Sequence, residues 1–200
     1  GEARVSRLDR ERQAEDLRLQ QVEAGRLGVE SYVVGALDRA QRLEELEALV
    51  GADKVTTAPD DLQRFGRDWT KSYPPAPSAV VFPRSIEQVQ TLVRWAHAEG
   101  VALVPSGGRT GISGGAVATN GEVVVAFDYM NKISEFNALD RSVVCEAGVV
   151  TEQLQQFAEA HELYYPVDFA AAGSSQVGGN ISTNAGGIKV IRYGMTRDWV

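Results

Sequence analysis

Chemistry in this chain concentrates in two glycine-rich stretches, Pro105 to Gly121 (PSGGRTGISGGAVATNG) and Gly173 to Gly194 (GSSQVGGNISTNAGGIKVIRYG). Together they hold 12 of the 20 glycines within 39 of the 200 residues. Glycine adopts backbone conformations closed to other residues and lets a ligand approach the main chain with no Cβ in the way. Successive amide N–H groups turned inward then make a concave anion site. A diphosphate suits such loops, and the hydroxyls of Ser106, Thr110, Ser113, Ser174, Ser175, Ser182 and Thr183 add short donors. Two common nucleotide motifs fail on spacing. The phosphate loop of nucleoside triphosphatases needs Gly-Lys-Ser/Thr, whereas Lys189, the only lysine in either stretch, follows Ile188. The dinucleotide fingerprint needs glycines at i, i+2 and i+5, and neither stretch contains that triplet.

Side chains with chemistry of their own are sparse. His97 and His161 lack a second ligand or an acidic orienting group at motif spacing and read as structural. Cys145, in Val143-Val144-Cys145, reads as a core side chain on a strand. Arg109, inside the first loop, is either a surface arginine or a phosphate contact. Lys189, Arg192 and Arg197 read as a solvated face in preference to a phosphate or substrate-charge guide, and Asp68-Trp69 as a packed aromatic beside a solvated acid in preference to a pair at a substrate entrance. No catalytic residue and no metal ligand is assigned.

A net charge of -7 and a pI near 4.9 argue against non-specific nucleic-acid binding, which needs a clustered basic surface. One cysteine allows no internal disulfide and fits a reducing compartment. No apolar run approaches the roughly 18 residues of a membrane span, and GEARVSRLDRERQ is not a signal peptide. A cytoplasmic location is therefore expected.

These loops need elements to hold them. Residues 1–50 carry 19 charges and no proline, and the pattern predicts two helices, RLDRERQAEDLRLQQVEAGRLG and YVVGALDRAQRLEELEALV. The first has a broken heptad and reads as solvated or partner-covered. The second presents Val33, Ala36, Leu37, Ala40, Leu43, Leu46 and Val50 on one face, with Gly51 as C-cap. From Lys54 to Pro77 the pattern is irregular, with a short helix start at Ala58 to Leu62 and an extended linker from Tyr73 to Pro77, after which a globular domain begins. Ala79 to Pro83 is a strand. Ser85 caps the next helix with Gln88 completing a capping box, Val89, Leu92, Val93 and Ala96 face the core, and Gly100 stops it. Strand Val101 to Val104 runs into the first glycine loop. Strands follow at Val123 to Asp128, Ile133 to Asn137 and Ser142 to Ala147, the last two as a hairpin, and Thr151 begins a helix that buries Leu154, Phe157, Ala158 and Leu163. Val177, Ile181, Ile188 and Ile191 recur too regularly for a flexible linker. The fold class is α+β, with both glycine loops placed to converge on one crevice.

The order P-S-G-G-R-T-G-I-S-G-G, then P-V-D-F with A-G-S-S-Q-V-G-G-N-I-S-T-N-A-G-G, then R-Y-G-M-T-R-D-W-V, resembles the FAD-binding domain of the vanillyl-alcohol oxidase type (PCMH-type) flavoproteins. Within that superfamily it resembles the FAD-linked D-2-hydroxyacid dehydrogenase branch, which includes D-lactate, glycolate and D-2-hydroxyglutarate dehydrogenases. The resemblance covers about residues 45–200. It implies two small α+β subdomains in an FAD-binding domain at 79–200, preceded by an N-terminal helical segment at 1–50 and a linker at 51–78. It implies that Pro105, Ser106, Gly107, Gly108, Arg109, Thr110 and Gly111 wrap the pyrophosphate, with Gly115 nearby. Pro166, Gly173, Ser174, Gly178, Gly179, Asn184, Gly186, Gly187, Tyr193 and Gly194 would line the adenosine, ribityl and flavin portions. Members often carry Arg where Ser106 stands and Asn or Gly where Arg109 stands. Covalent flavin attachment in the family uses a histidine near these loops; none is here, so non-covalent FAD is implied.

The substrate arginine, the metal-ligating histidines and the histidine base of the family lie in later segments, so the chain reads as cut off inside the domain. The implied function is the N-terminal part of an oxidoreductase that converts a D-2-hydroxy acid to the 2-oxo acid by hydride transfer to flavin, with an electron acceptor other than oxygen. A homodimer is compatible with it. The alternatives are a non-catalytic flavin-binding or assembly module and a superfamily oxidase acting on alcohols or sugars.

Overall fold

A computed structural model describes the backbone of residues 27–200 and side chains from residue 38 onward. The first expected helix therefore lies outside the described residues but for its end, as do the side chains of Val33, Ala36 and Leu37. Helix α1 (Leu27–Val50) runs unbroken through residues 29–31, where the sequence suggests a gap between two helices. Gly51 ends it with a φ of 100° and donates its N–H to Glu47 O at 2.8 Å. Of the expected apolar face, Leu46 and Val50 are buried and Ala40 is exposed.

Residues Leu46–Val200 form one compact unit. A short 3-10 turn, Ala52–Lys54, leads into β1 (Val55–Thr56), and α2 (Pro59–Phe65) follows with Pro59 at its first turn, where a missing N–H is tolerated. Strand β2 (Ala79–Val81) pairs antiparallel with β1 and parallel with β4 (Val123–Ala126), which in turn pairs parallel with β3 (Leu103–Ser106). The sheet order is β1-β2-β4-β3. Strand β4, central in this sheet, has no exposed residue, as expected for a parallel strand covered on both faces. Its residues alternate between two clusters: Val123 and Val125 join Leu46, Val50, Ala79, Val81 and Leu92, while Val124 and Ala126 join Phe65, Val80 and Ala118.

Helix α3 (Ile86–Glu99) covers the first cluster. The Ser85 hydroxyl accepts from Gln88 N–H at 3.3 Å, and Gly100 stops the helix in the left-handed region at φ 64°. The reciprocal half of the expected capping box is displaced by one residue, since Gln88 Oε1 accepts from Arg84 N–H at 2.8 Å. Leu92 and Ala96 are buried as expected, but Val93 is 53% exposed and Trp95 packs on the core in its stead. Strand β3 starts two residues later than expected and takes in Pro105 and Ser106. In the described sheet β3 is an edge strand, so proline's missing donor need not break a ladder.

The stretch expected as a linker is stitched into this unit. Phe65 lies in the second cluster, Ala76 N–H donates to Ala118 O at 2.8 Å, and Gly121 N–H donates to Ala76 O at 2.9 Å.

The second subdomain starts with a hairpin, β5 (Ile133–Asn137) and β6 (Ser142–Cys145), whose register shifts between Ser134 and Asn137. Asn137 Oδ1 nucleates the turn by accepting from the N–H of Leu139 at 2.9 Å and of Asp140 at 3.2 Å. Helix α4 (Thr151–Ala160) follows, then α5 (Val177–Thr183), α6 (Val190–Tyr193) and a final 3-10 turn, Thr196–Trp199. Val149, Leu154 and Val177 are the core here, with Cys145 packed against them as expected. Ile181, Ile188 and Ile191 are 46%, 84% and 101% exposed, so the regular apolar spacing there does not mark a core face. No helix among the described residues is long and apolar enough to cross a membrane.

Candidate functional site

The first glycine loop leaves the carboxyl end of parallel strand β3, the edge at which open sheets leave room for ligands. Across from it stands α5, and the two glycine stretches meet. A Cβ on Gly108 would overlap the carbonyl oxygen of Ser174, so this position admits only hydrogen. A Cβ on Gly178 would lie 2.8 Å from Ala147 Cβ, which seats α5 against the β6–α4 connection. Between the two walls is a cleft of about 560 Å³ lined by Pro105, Gly107, Gly108, Arg109, Thr110, Gly111, Gly115, Gly178 and Gly179. These are expected site residues brought together. Asp68, Ser113, Ala116, Phe127, Ala147, Gln176, Asn180, Ser182 and Thr183 complete the lining. The volume falls in the range of about 300–1,000 Å³ typical of small-molecule sites.

The cleft is prepared for a ligand with many acceptors. Among the described residues, none accepts from the amide N–H groups of residues 107–113; residues 107–110 are half-buried, where donors are normally paired, and 111–113 are exposed. The Cβ positions of Gly111 and Gly179 have no atom within 4 Å, so the main chain there can be approached closely. Two buried side-chain oxygens, Ser106 Oγ and Gln176 Oε1, have no partner. Each such atom costs free energy until a ligand or water engages it.

A buried polar network fixes the far wall. Asn180 Nδ2 donates to Thr151 Oγ1 at 2.6 Å, and Thr151 Oγ1 lies 2.7 Å from Ser175 Oγ. Thr151 N–H donates to Ser175 O at 2.9 Å, so the start of α4 positions the start of α5. Several hydroxyls expected as ligand donors are thus already engaged: Ser175 here, and Ser182 and Thr183 with Gly178 O and Gly179 O, both at 2.9 Å.

Arg109 is held back from the cleft's center. With φ 60° it sits in the left-handed region, and its guanidinium donates to Gly107 O at 2.8 Å, pairs with Asp128 at 3.4 Å and stacks 4.6 Å from the Phe65 ring. The Asp68-Trp69 expectation is inverted: Asp68 is 4% exposed and Trp69 66%. Burial would raise the Asp68 pKa, but hydrogen bonds from the Thr70 hydroxyl, Gly114 N–H and Thr70 N–H outweigh it and hold the carboxyl below its usual range. Gln176 and Asn180 are site-lining polar residues that sequence reasoning missed, and Asp68 is one that it read as solvated. Only Asp68 carried a signal, the Asp-x-Thr spacing of an Asx turn.

The remaining expected residues lie elsewhere. Ser106 is buried beneath the loop, and Ser174 backs Gly108. Pro166 is buried and Gly173 exposed outside the cleft. Asn184 caps α5 in the left-handed region and accepts from Arg197 N–H at 3.1 Å; Gly186 packs on Val190. Gly187 bridges to Asp168, Tyr193 meets the Tyr164 ring, and Gly194 lies against Asp198. Lys189 is paired rather than simply solvated, with Asp168 Oδ2 at 2.8 Å and Tyr164 OH at 2.6 Å, both of which raise its pKa. His97 is exposed on α3, and the His161 ring packs at a tilt against Phe136 and Phe157. A second cleft, of about 930 Å³, is walled by Phe136, Cys145, Phe157 and Tyr165, with Val177 and Ile181 of the second glycine stretch, and no glycine lines it. Among the described residues no group of three His, Cys, Asp or Glu could hold a metal.

A family model described as an FAD binding domain matches residues 77–200. The D-2-hydroxyglutarate dehydrogenase of Stutzerimonas stutzeri (strain A1501) is 71% identical over 158 residues, covering 79% of this chain and 34% of that protein. The mitochondrial D-2-hydroxyglutarate dehydrogenase of Bos taurus is 35% identical over 158 residues, covering 79% and 29%. The chain spans about a third of the length of these relatives. Among solved structures, an alkyldihydroxyacetonephosphate synthase superposes with a TM-score of 0.72 at 21% identity, over 80% of this chain and 34% of that one. A p-cresol methylhydroxylase gives 0.62 at 22%, over 73% and 29%; at these identities the likeness is one of fold. The chain belongs to the FAD binding domain family.

Proposed function

We propose that this chain is the cofactor-gripping part of an FAD-dependent dehydrogenase that oxidises a D-2-hydroxy acid to the 2-oxo acid, D-2-hydroxyglutarate first among the candidates. The observation that carries the reading is the 71% identity over 158 residues with a D-2-hydroxyglutarate dehydrogenase. The cleft supports it. Free amides at 107–113 and open approach at Gly111 and Gly179 suit a diphosphate, and the unpartnered Gln176 Oε1, an acceptor, suits a donor group elsewhere on the ligand.

Bound FAD would supply the hydride acceptor for oxidation at a hydroxyl-bearing carbon. The chain's own part is to bind and orient it. Loop 107–115 would hold the diphosphate, with Pro105 and Ser106 at its base and Gly178 and Gly179 opposite. Pro166, Gly173, Ser174, Asn184, Gly186, Gly187, Tyr193 and Gly194 are proposed for the adenosine, ribityl and flavin portions. Non-covalent binding is supported by the placement of His97 and His161, neither of which lines the cleft. An electron acceptor other than oxygen, a homodimer and a cytoplasmic location complete the proposal, the last supported by the single cysteine.

The test is the purified full-length protein. It is expected to be yellow, to release FAD on denaturation, and to bleach anaerobically with D-2-hydroxyglutarate, D-lactate or glycolate. A colourless protein that takes up no added FAD would refute the cofactor; bleaching by none of the three acids would refute the substrate class.

A further inference from the structure

The clamp on the first glycine loop lies outside both glycine stretches. Asp68 Oδ2 accepts from Gly114 N–H at 2.8 Å, while Oδ1 accepts from Thr70 N–H at 2.9 Å and from the Thr70 hydroxyl at 2.6 Å. Trp69 N–H donates to Gly111 O at 3.0 Å, and Ala118 N–H donates to Gly66 O at 2.9 Å. One short segment thus holds the loop at residues 111, 114 and 118, within and just beyond the run of unpaired amides. Gly114 turns there with φ 79°, a conformation whose N–H direction is set by the Asp68 carboxylate.

We propose that Asp68 is a positioning residue for diphosphate binding, fixing the turn at Gly111 to Gly114 so that the loop's free amides face the cleft. This rests on the FAD reading above. A carboxylate in the wall of a diphosphate site is unfavourable if its lone pairs face the ligand. Here both oxygens are engaged by donors of the protein, so Asp68 organises the wall instead of lending its charge to the ligand. A charged acceptor is suited to the task, because hydrogen bonds to ionised groups are stronger than neutral ones. The exposed Trp69 indole does not anchor the segment; Asp68 and the main chain do.

The experiment uses the full-length protein stripped of flavin, with Asp68→Asn, Asp68→Ala and wild type compared for FAD binding by equilibrium dialysis and for the ³¹P resonances of bound FAD. Asp68→Asn, which keeps the shape, is expected to weaken binding roughly tenfold, about 1.4 kcal/mol, with both diphosphate resonances displaced, and Asp68→Ala to weaken it at least as much. Where Asp68→Ala does not fold, the amide variant decides alone. A role confined to folding would lower the melting temperature while leaving the ³¹P shifts of bound FAD in place, and that result overturns the proposal. So does FAD affinity within twofold of wild type, or tighter binding on removal of the negative charge. Wild-type protein that takes up no FAD overturns the underlying functional reading together with this one, whereas FAD uptake by wild type and by Asp68→Asn alike sinks only the role of Asp68.

Discussion

Gly179 and Gly108 face each other across the cleft, yet replacing them should have opposite consequences. Gly179 is within α5, and nothing lies within 4 Å of its Cβ position. Valine has a better helix propensity than glycine by a few tenths of a kcal/mol, so Gly179→Val should leave stability within about 0.5 kcal/mol of wild type. Its branched side chain would stand in the space over the main chain that a ligand must approach. Overfilling a fitted space costs about 1–3 kcal/mol, which is a loss of roughly 5- to 150-fold in FAD affinity. Gly108→Ala adds one methyl, but that methyl would overlap Ser174 O and lie 2.7 Å from Ser175 Cα. Main chain cannot yield as a flexible side chain can, so the two loops must part and the folded state should lose at least about 1–3 kcal/mol. The assay is flavin stoichiometry by absorbance, a titration for Kd, and thermal melting of the flavin-free full-length protein. Gly179→Val retaining a full complement of FAD at unchanged Kd, or Gly108→Ala melting like wild type, would refute the assignment of this cleft.

Thr151→Val should cost about 1–3 kcal/mol in urea unfolding, since it orphans Asn180 Nδ2 and the Ser175 hydroxyl inside a buried network. Arg109→Asn should weaken FAD binding by less than about tenfold, because asparagine tolerates the left-handed backbone and the guanidinium is spent on Gly107 O and Asp128; a far larger loss by dialysis would make Arg109 a direct phosphate ligand. The Asp68 carboxyl has a folded pKa below its ordinary value of 3.8, so its contribution to stability is present above that value and is lost as pH falls through the folded one. The stability gap between wild type and Asp68→Asn, measured by urea unfolding from pH 6 downward, should therefore be full at pH 6 and shrink below about pH 4; a gap that widens on acidification contradicts the sign.

Much of the frame is legible in the sequence because its signals are local. Continuous apolar runs give β2 and β4, Ser85 and Gly100 bracket α3, and Asn137 writes the hairpin turn. Periodicity misplaced Val93 and omitted Trp95 because a helix face is wider than one stripe, and which flank is covered depends on the sheet beneath. Proline ended the expected strand at Val104, whereas an edge position accommodates Pro105. The stretch 51–78 looked like linker since its contacts are non-local: β1 finds β2, and Ala76 finds Ala118 and Gly121. Asp68 was assigned to solvent for the same reason. Its burial depends on Gly114, 46 residues away, which no window of sequence contains.

The geometry also changes which part of the loop does the work. Read as a string, the arginine of P-S-G-G-R-T-G is the obvious grip for an anion. In the fold its charge is met by Asp128 and its guanidinium by the Phe65 ring, while the charge of Asp68 is met by Gly114 and Thr70. Arg109 and Asp68 are the charged residues among those that line the cleft, and each already has its partners. What remains unspent for an anion is the main chain, the amides of 107–113. Fixed dipoles held by a rigid wall bind an anion with little reorganisation, and they distinguish ligands by where their oxygens fall instead of by total charge. Glycine at 108, where the walls touch, and at 179, where they stay open, is what that design requires of the sequence.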